Sequence, residues 1–201
     1  RVFISTFCLL HRTMNTTLTN KDSFQLRLEE QRDLNELMLI DDWFYMLCFT
    51  FKNSRLRQEI EATDQRFKVI RNVLMEVCLK MNISFGNLIM IIKDEYKEDD
   101  MHVHGLMAKK GFKDIDQLNQ FAAELESAWG GYLKSGQQRY GLIDIEPIDP
   151  KRKRKAVSYS MKHFKGDRYV NPTHYPTKRL VKRLKKIHPA CNRFKPWRLS
   201  Y

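Results

Sequence analysis

The chain has 201 residues, 42% of them hydrophobic and 30% charged, which suits one globular domain with an ample core. Its 36 Lys and Arg against 24 Asp and Glu leave a net charge of +12, and no apolar run is long enough to cross a membrane. Four cysteines, Cys8, Cys48, Cys78 and Cys191, stand far apart with no CxxC pair, which excludes a zinc finger and a disulfide framework and points to a reduced, cytoplasmic protein.

Residues 1–13 begin with an apolar run that is short and lacks a small-residue cleavage site, so Met14 is a candidate start. Phe24, Leu26, Leu34, Leu37 and Met38 follow a helical spacing behind Asp22 or Ser23 as a cap, making 1–40 an N-terminal helical extension. Residues 43–51 are apolar and aromatic and stop at Asn53-Ser54, the pattern of a strand, with Cys48 expected in the core. Residues 56–81 read as a long amphipathic helix with Phe67, Ile70, Leu74, Val77 and Cys78 on one face. After a turn at Gly86-Asn87, residues 88–96 and 101–109 form a hairpin around an acidic tip at 97–100. Asp114 starts a helix whose apolar face carries Ile115, Leu118, Phe121, Leu125 and Trp129. Residues 142–145 are a short strand stopped by Pro147, and 151–164 a basic helix.

The order β-α-β-β-α-β within 41–167 predicts an α+β domain, a ferredoxin-like or RRM-like split βαβ antiparallel sheet with helices packed on one face. Residues 168–201 form a basic, proline-rich C-terminal tail. Residues 151–201 hold 17 Lys and Arg against the single acid Asp167, whereas 1–150 hold 19 basic and 23 acidic residues. A near-neutral body with a basic C-terminal quarter reads as a nucleic-acid footprint. Lys151, Arg152, Lys153, Arg154 and Lys155, with Lys178, Arg179, Lys182 and Arg183, are the candidate phosphate contacts, supplying affinity rather than sequence choice. The competing reading folds the tail back onto the body, with Phe194 and Trp197 as anchors.

The chemistry is concentrated in His102-Val103-His104. On a strand, residues i and i+2 share a face, so both imidazoles converge while Val103 turns into the core. Neutral imidazole is a common ligand for a divalent metal. The pair alone is a weak signal, since an HxH also occurs as surface or satisfied core. A cupin would follow it with Glu, and a metallo-β-lactamase with Asp-His; here Gly105-Leu106-Met107 follows. Two imidazoles seldom hold Mg2+ or Mn2+ alone, and the preceding strand offers Asp94 and Glu95 as oxygen donors, on opposite faces of each other. Farther on, Tyr159 and Lys162 lie three residues apart on the basic helix and so share a face. His163, one residue on, is a candidate proton shuttle. Tyr169 and Tyr175, in the proline-rich segment, are candidates for stacking on bases.

With these residues the chain resembles the HUH endonuclease superfamily of rolling-circle initiators and relaxases over about residues 43–165. The matches are His102 and His104, the Tyr-x-x-Lys of Tyr159 and Lys162, and the strand Leu47-Cys48-Phe49-Thr50-Phe51 as a first motif. Inovirus-type replication proteins of phages and prophages are the nearest in pattern. The resemblance implies Mg2+ or Mn2+ held by His102, His104 and Glu95, with Tyr159 as nucleophile and Lys162 on the scissile phosphate. It implies site-specific nicking and rejoining of single-stranded origin DNA through a 5′-phosphotyrosine, starting rolling-circle replication of a phage, prophage or plasmid in a bacterial host. No GxxxxGK[ST] loop occurs, so a separate helicase and polymerase are expected, and no membrane partner. A relaxase or transposase with the same chemistry, and a non-catalytic RRM-like nucleic-acid-binding module, are the alternatives. The first usually carries a third histidine; the second needs aromatics where His102 and His104 stand.

Overall fold

The computed structural model describes residues 20–52, 61–95, 102–131, 135, 139–160, 164–165, 168–169, 174–190, 194 and 196. The elements are α1 (Asn20–Leu37), β1 (Trp43–Thr50), α2 (Glu61–Lys80), β2 (Met90–Glu95), β3 (His102–Ala108), α3 (Ile115–Gly130), β4 (Ile143–Pro147), α4 (Lys153–Ser160), β5 (Phe164–Lys165), β6 (Arg168–Tyr169), β7 (His174–Pro176) and α5 (Lys178–Ile187). Expected and observed elements agree in type and order through α4, but the basic helix expected over 151–164 is described over Lys153–Ser160, and Phe164 begins the strand β5 instead. Asp22 and Ser23 lie inside α1 rather than capping it. The hairpin tip at 97–100 lies outside the described residues. Among the described residues no helix is long and apolar enough to cross a membrane.

The fold is α+β. Five strands pair antiparallel in the order β4-β1-β3-β2-β7, and β5 and β6 form a separate two-stranded ribbon. Alternation along the strands makes two faces. On one, Leu47, Phe49, Met90, Ile92, Val103, Met107 and Ile143 pack against Phe67, Ile70, Leu74 and Val77 of α2 and Leu118, Phe121, Leu125 and Trp129 of α3. Asp114 caps α3 by accepting from the Gln117 backbone N–H at 2.8 Å. Trp129 meets Phe49 and Phe51 edge-on and donates its indole N–H to the Leu142 carbonyl at 3.0 Å.

The expectation of helices on one face alone is corrected. The second face carries its own core, built from Leu34 and Leu37 of α1, Val157 of α4 and Leu180, Val181 and Leu184 of α5, against Trp43, Ile91, Leu106 and Ala108 of the sheet. A bulge at Phe44, where Trp43 pairs with Ala108 and Tyr45 with Met107, turns Trp43 onto this face. Trp43 then donates its indole N–H to the Leu37 carbonyl at 2.8 Å, tying α1 to the sheet.

The C-terminal segment belongs to this second layer in the part that is described. β7 extends the sheet beside β2, and Phe194 is buried; Trp197 lies outside the described residues. Thr177 caps α5 and knits it to β2: its hydroxyl donates to the Leu88 carbonyl at 2.7 Å and accepts from the Met90 N–H at 3.2 Å. Basic residues hid this helix in the sequence. Leu180, Val181 and Leu184 nevertheless follow the i, i+1, i+4 spacing of a buried stripe, with Lys182, Lys185 and Lys186 turned to solvent.

Candidate metal and nucleophile site

The second face changes character along the strands. Part of it is the apolar core under α1, α4 and α5; the same face also carries Cys48, His102, His104 and Lys93, the last three of them buried. Strand register creates this cluster. His104 pairs with Cys48 of β1 on one side and Lys93 of β2 on the other, and His102 pairs with Thr50 and Glu95. Opposed residues in an antiparallel pair project to the same face. The two imidazole rings stand perpendicular, centroids 5.3 Å apart. The candidate ligand atoms of Cys48, His102 and His104 all lie within 4.8 Å of one another. His102 and His104 are buried and Cys48 half-buried.

Gly105 follows the pair for a packing reason. A Cβ there would meet Ile92 Cγ2 at 3.0 Å and Leu47 Cβ at 3.3 Å, so a larger residue would require both side chains to give way by a few tenths of an ångström.

The neighbouring acids divide by strand parity. Asp94 faces the α2 side, where its carboxylate pairs with Arg66 at 2.5 Å, both residues being buried. Glu95 has the backbone register opposite His102, and its side chain lies outside the described residues. Asp144, opposite Cys48 on β4, is exposed.

Helix α4 delivers Tyr159. Pro150 opens a 3-10 turn capped by Asp149, whose carboxylate accepts from the Lys151 N–H at 2.9 Å. The helix then runs across β1 and β3, anchored by Val157, which is fully buried. Tyr159 comes to lie edge-on to His104, ring centroids 5.2 Å apart, yet is 44% exposed. The residue therefore touches His104 and remains partly open to solvent. Lys162 and His163 lie outside the described residues.

The candidate phosphate contacts separate into two groups. Lys151, Arg152, Arg154, Lys155, Lys178 and Lys182 are exposed. Arg183 ion-pairs with Asp42 and with Asp41 at 2.7 Å, and Arg179 donates to the Asn87 carbonyl at 3.1 Å. Lys153 is half-buried, with its ammonium 3.5 Å from the Asp41 carbonyl. These three hold α5 and α4 to the turns at 41–42 and 87.

Cys78 is buried as expected, and burial pushes its thiol up to about 11. Cys48 is a correction: it faces the histidines, not the main core. The signal was present in the sequence, because Leu47 and Phe49 are the core-facing residues and Cys48 alternates with them. Lys93, buried at His104's side, was likewise missed, since a lysine in an apolar run reads as an exposed edge. Set against family models, curated proteins and solved structures, the chain matches none of them.

Proposed function

We propose that this chain is a metal-dependent endonuclease of the HUH kind, which nicks and rejoins single-stranded DNA through a phosphotyrosine on Tyr159 and so initiates rolling-circle replication of a phage, prophage or plasmid. The observation that carries the reading is the contact between Tyr159 and His104, within a cluster that also contains His102. The strand order β4-β1-β3-β2, with α2 and α3 on one face, supports the ferredoxin-like, HUH-type arrangement.

The donor set fits a divalent metal: two buried imidazoles and a third donor converge within 4.8 Å. Mg2+ or Mn2+ would be held by His102, His104 and an oxygen donor, for which Glu95 has the right register. When bound, such an ion supplies charge stabilisation on the phosphoryl oxygens. The Tyr159 hydroxyl gives up its proton and attacks phosphorus, and the bond to the 3′ oxygen breaks. That oxygen takes up a proton and becomes the 3′-hydroxyl a polymerase can extend. Exposed Tyr159 accepts the strand while buried His104 fixes the ring from below. Lys162 is proposed to orient the scissile phosphate. Lys151, Arg152, Arg154 and Lys155, exposed along the turn and helix that carry Tyr159, would follow the flanking phosphates.

The test is adduct formation. The protein is incubated with Mn2+ and a labelled pool of random single-stranded oligonucleotides, then run on a denaturing gel. A covalent protein–DNA band that maps to Tyr159 supports the reading. A cleaved pool with no adduct, or an adduct on another residue, overturns it.

A further inference from the structure

The third donor of the cluster is a thiol, and this changes which metal the site prefers. We infer that Cys48 is a protein ligand together with His102 and His104, giving a three-ligand centre selective for thiophilic divalent ions such as Zn2+ or Co2+ over Mg2+. The inference concerns the site of the proposed nuclease but stands on its geometry alone.

The register argument is direct. Cys48 and His104 are opposed across β1 and β3, and His102 follows two residues along the same face. Cys48 is half-buried beside two buried imidazoles. A tetrahedral zinc takes nitrogen at about 2.0–2.1 Å and sulfur at about 2.3 Å, so ligand atoms end roughly 3.3–3.6 Å apart. The observed spacing, within 4.8 Å, needs only side-chain rotation to reach that. Thiolate and imidazole donors suit zinc and cobalt, whereas magnesium demands oxygen ligands and keeps its waters. Three protein ligands leave the fourth position of a tetrahedral ion to an oxygen donor, either Glu95, which has the register for it, or an oxygen of the substrate. Tyr159 lies against His104, which gives that position a substrate-facing neighbour.

Cobalt titration of the full chain under reducing conditions, without DNA, tests this. The wild type is expected to bind one Co2+ with an intense near-ultraviolet thiolate-to-cobalt band and strong visible bands of a four-coordinate ion. Cys48→Ser should lose the near-ultraviolet band and weaken Zn2+ binding by about 10–100-fold, the range that even outer-shell changes reach. Cys48→His should restore Zn2+ affinity without the thiolate band, which guards against misfolding of the serine variant. Cys78→Ser, on the opposite face, should leave the spectrum intact. A pale six-coordinate spectrum, or a thiolate band that survives in Cys48→Ser, overturns the inference. Because no DNA is present, that failure would leave the Tyr159 adduct untouched, and a missing adduct would leave the cobalt spectrum untouched.

Discussion

Tyr159 lies edge-on to His104, ring centroids 5.2 Å apart, although the two are carried by different elements with α3 and β4 between them in the chain. The contact uses the aromatic ring, whereas the proposed chemistry uses only the hydroxyl. Tyr159→Phe should therefore retain the ring contact and the melting temperature, and lose the covalent adduct entirely. Electrophoresis of adducts alongside thermal denaturation measures both. A phenylalanine variant that still forms the adduct removes Tyr159 from the mechanism.

Asp94 and Glu95 are adjacent in sequence but belong to opposite faces of β2. Asp94→Ala takes the carboxylate away from the buried Arg66 guanidinium and should cost about 3–5 kcal/mol, the range for breaking a buried pair. Glu95→Ala should cost little stability and weaken metal binding instead. Urea denaturation and metal titration of the two variants should give opposite rankings. Equal effects in both measurements would refute the division.

His102→Ala and His104→Ala should each abolish metal binding, and EDTA should abolish adduct formation by the wild type, with restoration by added Mn2+. Undiminished adduct in EDTA would take the metal out of the reaction.

The C-terminal segment should be tested in two ways, because its helix is both basic and packed. Removing everything after Asp167 takes away buried Leu180, Val181 and Leu184, each worth about 1.5–3 kcal/mol. Against a total stability of about 5–15 kcal/mol, that deletion should unfold much of the second layer. Replacing exposed Lys182, Lys185 and Lys186 by Ala should leave melting unchanged. The slope of log K against log salt for single-stranded DNA should then fall by about 0.7 for each phosphate no longer neutralised by a lysine. An unchanged slope would confine these lysines to a solvated face.

Glu76 accepts two hydrogen bonds from the Arg139 guanidinium, at 2.7 and 3.0 Å, and these hold its carboxyl below the usual glutamate range. A lowered folded value means the stabilisation is complete above the unfolded value, about 4.3, and is lost as pH falls through the lower folded one. The pair is partly exposed, so the effect should be small. Glu76→Gln should lower the melting temperature slightly at neutral pH and converge with the wild type in acid, which flattens the acid side of the profile. A variant that drops equally at both pH values would assign Glu76 a packing role.

Local chemistry made much of this protein legible in its residues. The apolar and aromatic runs of β1 to β3, the 3.6-residue stripes of α2 and α3 and the Asp114 cap are short-range properties, and each produced the element expected. The parity of His102 and His104, and the separation of Asp94 from Glu95, follow from pleat geometry alone. Tertiary structure decided what depends on residues far apart in sequence. Register between β1 and β3 brought Cys48 beside His104, and register between β2 and β3 put Lys93 there. Neither pairing is written in a single strand, because a one-residue slip would move either side chain to the other face. The second helical layer was hidden for another reason. In α5 the Lys and Arg residues that make up most of the helix masked three apolar ones, Leu180, Val181 and Leu184. They are buried against the apolar half-face that Ile91, Leu106 and Ala108 form on the sheet, together with Leu37 of α1 and Val157 of α4.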